Sequence, residues 1–517
     1  MKKILSLAPL LLVFINSPAA PAAARDGVEL PRKVTYTRDI APLLSAKCGS
    51  CHRPGDIAPM ALRTYDEVRP WAKSIRRVVN DGTMPPWHAD PAYGVFSNDR
   101  SLSSYETALI NKWVKQGTAL GDSTDLAEGL EAPEGWRLGE PDLEVVFEEV
   151  SVPGGGPDVF EDLIVEYELS EDRWIRSVEV LPGDRRVLHH VIIYILEEGA
   201  SSPNGWLGAW AAGMEPMIFP EGTGRLLKKG SRLVADMHYH PTDETATDQT
   251  RLGLHFHDGE PDKELVNLWI QNSTFKIPAG AGNHEVRSSF TFEQDSVVHG
   301  LLPHMHYRGK DFTFTARYPD GREEILLQVS DYDFNWQTFY KLAEPLRMPK
   351  GSKINCVAHF DNSAANLANP DSTRDVTFGN ESFDEMMIGF VDYTVEEGLR
   401  PMSAEDRIAQ ILVELGAEHP GSVFEVQLIG DEFTTSSALY LTSEGGPLWY
   451  IPVNGTLHKA RIVNLSRKDD ASYSGKVVAP FGTFTFEGTG GFGEPHVAGT
   501  IDIGADGILT FEGSVVE

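Results

Sequence analysis

The chain has 517 residues, enough for several domains that each bury a core of their own. Its 76 acidic residues outnumber 45 basic ones, and the formal charge of −31 argues against nucleic acid or an anionic lipid surface as a partner. Only three cysteines are present, two of them close together at Cys48 and Cys51, which excludes a disulfide framework as the source of stability.

In chain order, Met1-Lys2-Lys3, the apolar run ILSLAPLLLVFIN and the small residues ending Ala22-Ala23-Ala24 predict a secretory signal over 1–24. That run is shorter than the roughly 20 residues a bilayer needs, and no later segment comes close. The expectation is a periplasmic or secreted protein with no membrane span.

Residues 33–120 read as short helices forming a small all-α domain. Ile40, Leu43 and Leu44 share one helical face, and Ser103-x-x-Glu106 opens a helix carrying Leu109, Ile110, Trp113 and Val114, with Gly117 as its stop. Within this stretch, Cys48-Gly-Ser-Cys51-His52 has the C-x-x-C-H pattern of covalent haem c attachment. The thiols add to the haem vinyl groups and His52 supplies the proximal nitrogen. A thioredoxin-like dithiol lacks its βαβ setting, and a zinc site lacks a second cysteine pair. For the distal ligand Met84 in GTMPPWHAD is the candidate, on a loop stiffened by Pro85-Pro86, with Met60 and His88 as competitors.

Residues 121–142 are acidic, rich in Gly and Pro and without periodicity, as expected of a flexible linker on which the preceding segment could dock or swing. Residues 143–398 alternate as short strands between Gly- and Pro-containing turns, which predicts two antiparallel, jelly-roll-like β-sandwiches over 143–262 and 263–398. Cys356 lies in one such strand, KINCVAHF, and reads as a buried structural thiol. A helix is predicted over 402–417, with Ile408, Ile411, Leu412 and Leu415 on one face. The glycine-rich strands of 420–517 form a β-rich accessory domain without a chemical motif.

Strand geometry filters the histidines. Residues i and i+2 share a face, so His238/His240, His255/His257 and His304/His306 could each offer two imidazoles to one ion. The adjacent pair His189-His190 points to opposite faces unless a bulge or strand end turns it. Geometry alone leaves all of these open to ordinary structural roles.

The strings LHHVIIY, MHYHP, PHMHYRGK and DEMM, in this order and spacing, resemble the copper type II, ascorbate-dependent monooxygenases, the group of peptidylglycine α-hydroxylating monooxygenase and dopamine β-monooxygenase. The likeness covers about residues 143–398. It implies two copper ions: an electron-storing one on His189, His190 and His238, and an oxygen-reacting one on His304, His306 and Met386, separated by a solvent-filled cleft. His240, His255 and His257 then fall to a solvated face or to supporting positions. Residues 33–120 likewise resemble the small cytochrome c domains that precede bacterial secreted oxidoreductases, so the haem would deliver electrons drawn from an external donor. Peptide-amidating members grip a substrate carboxylate with an Arg, an Asn and a Tyr where this chain has Leu302, Ile388 and Phe390. The expected substrate is therefore small and neutral or apolar, hydroxylated at a C–H bond with dioxygen. The alternative is a haem and copper electron-transfer or copper-binding protein without oxygenase activity, against which the thioether of Met386 argues.

Overall fold

The computed structural model describes residues 29–401 apart from positions 55, 57, 127–134, 199–204, 212 and 380, pieces of 407–413, and eight strands between 423 and 515. The signal expected over 1–24 lies outside the described residues, as do Ile411 and Leu415. Of the helix predicted over 402–417, Ile408 and Leu412 are buried beside Val423 and Ala438.

Four short α-helices come first: α1 (Ala41–Cys48), α2 (Tyr65–Val68), α3 (Ala72–Asn80) and α4 (Ser104–Lys115). The Ser103 hydroxyl accepts the Glu106 N–H while the Glu106 carboxylate accepts the Ser103 N–H, so α4 starts where its sequence marks it. Gly117 ends it with φ of 88°, the left-handed conformation glycine adopts without strain. Leu109, Ile110 and Trp113 close over Val34, Tyr36, Ile40 and Leu44.

These helices do not make the all-α domain expected over 33–120, and the fold class is corrected accordingly: strands dominate the described residues. Between α3 and α4 the chain touches strands of two β sheets. Ala89 bridges Val329 and Phe96 bridges Leu342, while the Ser97 N–H reaches the Lys341 carbonyl at 2.9 Å and the Ala343 N–H reaches the Val95 carbonyl at 2.8 Å. Pro85 and Pro86 bar a helix there. Ala89 and Phe96 are buried in a β core instead of among the helices, so a part of the expected domain belongs to the strand-built body.

Residues 143–264 form two facing sheets. One orders Leu143–Val146, Arg251–Phe256, Arg173–Leu181, Thr223–Leu227 and Lys263–Glu264; the other orders Val159–Val165, Arg232–Tyr239, Leu188–Leu196 and Gly205–Ala211. Between them lie Ile175, Val178, Leu252 and Leu254 from the first and Val191, Ile193, Leu233 and Met237 from the second. Residues 266–395 form two further sheets, Val266–Gln271, Ile388–Val395, Ser296–His304, Tyr340–Met348 and His284–Thr291, Lys353–Phe360, Gly309–Arg317, Glu323–Val329. Cys356 is fully buried in this second core, as its strand pattern predicts.

The strand Ile388–Val395 is buried at every position. Its period of two explains how: Val391, Tyr393 and Val395 face the second core, while Ile388 and Phe390 enter the first. At this contact the Arg225 guanidinium donates to the Trp206 and Leu207 carbonyls at 2.8 Å each and to the Asp392 carboxylate at 2.7 Å, both side chains being almost wholly buried. Eight strands from Val423–Ile429 to Ile508–Val515 pair in sequence order and close into a barrel. No described helix is long and apolar enough to cross a membrane.

Candidate metal centres

His189 and His190 stand at the start of the strand Leu188–Leu196, beside His238 near the end of Arg232–Tyr239. Leu188 pairs with Tyr239 and His190 with His238, so the register slips between them. That irregularity lets neighbouring histidines serve one side, which a regular strand forbids. The Nδ1 atoms of His189 and His190 are 3.1 Å apart, those of His190 and His238 3.3 Å. Among the described residues, these three form the one group of three or more His, Cys, Asp or Glu whose ligand atoms lie within 4.8 Å of one another.

The Nε2–H of His238 donates to Asp158 at 2.8 Å, which leaves its Nδ1 with a free lone pair. The same carboxylate accepts from Nδ1 of His240 at 2.8 Å, so His240 supports the group from outside it. Partial burial alone raises the Asp158 pKa, but the hydrogen bonds from His238 and His240 hold it below the usual carboxylate value. Phe160 stacks on His238 with ring centres 4.3 Å apart. Burial, then the neighbouring His238 charge, pushes His189 down to about 4, and burial also depresses His190 and His238. Three neutral imidazoles that meet through nitrogens of one kind cannot all satisfy one another by hydrogen bonding; a soft or borderline cation satisfies all three.

The second group lies where Ser296–His304 leaves its sheet. Met305 is wholly buried in the core, its carbonyl accepting the Tyr332 hydroxyl at 2.7 Å. His304 and His306 flank it with ring centres 5.3 Å apart. Nδ1 of His304 is 2.7 Å from Gln337 Oε1, and Nδ1 of His306 is 3.4 Å from the Asp384 carbonyl. Both assignments leave Nε2 available. Burial, then the His304 charge, pushes His306 down to about 3, and burial lowers His304. Met386 is half-buried, one residue after Glu385 and two before Ile388, which pairs with His304. The buried Glu385 carboxylate accepts the N–H groups of His306 at 2.8 Å and Arg308 at 2.6 Å, tying the histidine turn to the Met386 segment. Desolvation raises this carboxyl to about 8.

A ring lies beside both groups, between which the resemblance implies a solvent-filled cleft. Phe334 has its ring centre 6.2 Å from His190, 6.0 Å from His238 and 5.9 Å from His306. Leu302, Ile388 and Phe390 belong to the core shared by the two β units, with Phe390 6.1 Å from the His304 ring. His255 is buried in its strand and His257 bonds the Thr223 carbonyl at 2.9 Å, both away from the two groups. Asp158, Phe334 and Gln337 are not distinguished by any sequence motif; Glu385 lies inside the string DEMM, which does not single it out.

Cys48 ends α1, and the N–H groups of Cys51 and His52 reach its carbonyl at 3.2 and 2.9 Å. His52 Nδ1 is 3.2 Å from the Met60 carbonyl, so that bond does not use Nε2, while the Met60 side chain packs on the helical core. Burial pushes the Cys48 thiol up to about 12 and raises Cys51 as well. The motif is seated on the first β unit: a Cβ at Gly213 would run into Cys51 Sγ, and Asp56 pairs with Arg53 at 2.7 Å and Arg185 at 3.7 Å. Met84 follows α3, its N–H on the Val78 carbonyl at 3.3 Å, and no described interaction joins it to His52.

No family model matches the chain, and no curated protein matches it. Among solved structures, the VP2 subviral particle of infectious bursal disease virus matches at 9% identity over 49% of this chain and 71% of that one, with a TM-score of 0.16. The Gx strain of the same virus matches at 9% identity over 50% and 73%, with a TM-score of 0.15. Scores this low carry no argument about fold or function.

Proposed function

We propose that the chain is a two-centre copper monooxygenase that hydroxylates a C–H bond of a small neutral or apolar substrate, in the periplasm or outside the cell. A haem would be held by Cys48, Cys51, His52 and Met84 and would supply one-electron transfer from an external redox protein or small reductant. The observation that carries this reading is the meeting of three imidazole Nδ1 atoms, 3.1 and 3.3 Å apart, one of them with its tautomer fixed by Asp158. Copper in these places supplies one-electron redox chemistry at both centres and activates dioxygen at the one with the thioether, which favours the reduced ion.

The chain's own groups do the rest. Asp158 holds His238 with Nδ1 free, and Gln337 does the converse for His304. Glu385 locks the turn of His306 to the segment carrying Met386. Phe334, Phe390 and Tyr307 surround the second pair with rings and offer no charged partner to a substrate carboxylate.

Metal analysis with electron paramagnetic resonance tests the framework: two type II coppers and one haem per chain are expected, and fewer than two coppers sinks it. Product formed under labelled dioxygen must carry the label. A second reading, an electron relay without oxygenase activity, is favoured by the ring of Phe334 between the two groups; unlabelled product, or none, would establish it instead.

A further inference from the structure

One short turn touches both histidine groups. It lies between the strands Glu323–Val329 and Tyr340–Met348, and its first residue, Asp333, accepts the Asn335 N–H at 2.9 Å. Next comes Phe334, 7% exposed, whose ring lies near His190 and His238 on one side and near His306 and Tyr307 on the other. Three residues later Gln337 presents Oε1 to His304 Nδ1 at 2.7 Å.

Resting on the two-centre reading above, we propose that the turn Asp333–Thr338 is a positioning element common to both metal centres. Phe334 fixes their separation and makes the contact through which an electron passes. Gln337 holds His304 in the tautomer that offers Nε2.

The argument is geometric and chemical. Different β units carry the two histidine groups. A buried ring in contact with both ties the groups to each other at the place where they meet, because it is close-packed and resists compression. Copper ions held by the two groups would exchange one electron, from the reduced ion of the first to the oxidised ion of the second. No bond forms or breaks and no proton moves. At the second centre, an amide oxygen can only accept, so the proton of His304 must sit on Nδ1.

The full chain, loaded with copper and haem, is compared with Phe334→Leu, Phe334→Met, Phe334→Trp, Gln337→Ala and Gln337→Glu. Copper per chain is counted first; fewer than two in the unaltered protein defeats the two-centre reading itself and is thus separated from failure of this proposal. The half-field resonance that two Cu(II) ions give only at short separation is then recorded, along with redistribution of Cu(II) after one equivalent of ascorbate without oxygen. The unaltered protein and Phe334→Trp are expected to show the line. Phe334→Leu and Phe334→Met, which fill the space without a ring, are expected to lose it and to redistribute about tenfold more slowly. Gln337→Ala should weaken copper at the second centre about 10–100-fold, and Gln337→Glu, whose oxygens only accept, should restore it. Unchanged line and rate in both ring-free variants, or unchanged second-centre affinity in Gln337→Ala, overturns the proposal.

Discussion

Adjacent side chains of a strand face opposite ways, so His189 and His190 meet over one ion-sized space only because the pairing slips between Leu188 and His190. His238 is orientated from behind, by the Asp158 carboxylate that also takes His240. Removing such an outer partner loosens the metal without touching a ligand: Asp158→Ala is expected to weaken copper at the first centre about 10–100-fold and leave the second unchanged, read by competitive titration with a coloured chelator. Met386→Ala tests the other end. Incorporation of labelled oxygen should vanish while the resonance of the first centre and the haem absorbance stay as they were. Of these residues, His304 and His306 are one of three pairs that spacing nominates, and their choice, like that of His189 with His190, comes through likeness to a family. Asp158 and Gln337 lie far in sequence from the imidazoles they hold, so no local pattern could show them.

At the scale of elements, the capping box of Ser103 and Glu106 is visible in the sequence because it is made within one turn. The stretch between α3 and α4 is different. Helical signals on both sides suggest one α domain, but Pro85-Pro86 break a helix, and Ala89 and Phe96 bridge strands of two β sheets. The C-x-x-C-H turn is similarly committed to a neighbour, since Cys51 packs on Gly213, which has φ of 81°. Gly213→Val adds a Cβ where Cys51 stands and forces a branched residue into the left-handed region. A loss of about 1–3 kcal/mol is expected, measured by urea unfolding followed by far-ultraviolet circular dichroism. A motif swinging freely on its linker would leave only the backbone part of that loss.

For the whole molecule, the two β units share one core, into which Leu302, Phe339, Ile388 and Phe390 reach from the second. Leu302, Ile388 and Phe390 are thus packing residues at the contact of the two units. The Arg225–Asp392 pair lies buried at the same contact, with Asn267 donating to the same carboxylate at 2.6 Å. Leaving either charge alone is costly: Asp392→Ala is expected to lose about 3–5 kcal/mol, and the double change Arg225→Met with Asp392→Leu to recover most of it, both read from denaturant midpoints at constant slope. Copper should raise the melting temperature of the metal-free protein in a concentration-dependent way, as a ligand of the native state alone must.

Local patterns in the chain fix the Ser103 cap of α4, the alternation that makes the strands and the C-x-x-C-H turn. These depend on neighbours a few residues away. The tertiary structure decided what rests on distant partners. It set the slipped register that brings His189, His190 and His238 together, laid Ala89 and Phe96 against strands of two β sheets, and put Phe334 beside both histidine groups. Such pairings join positions tens or hundreds of residues apart, and packing, not spacing along the chain, selects them.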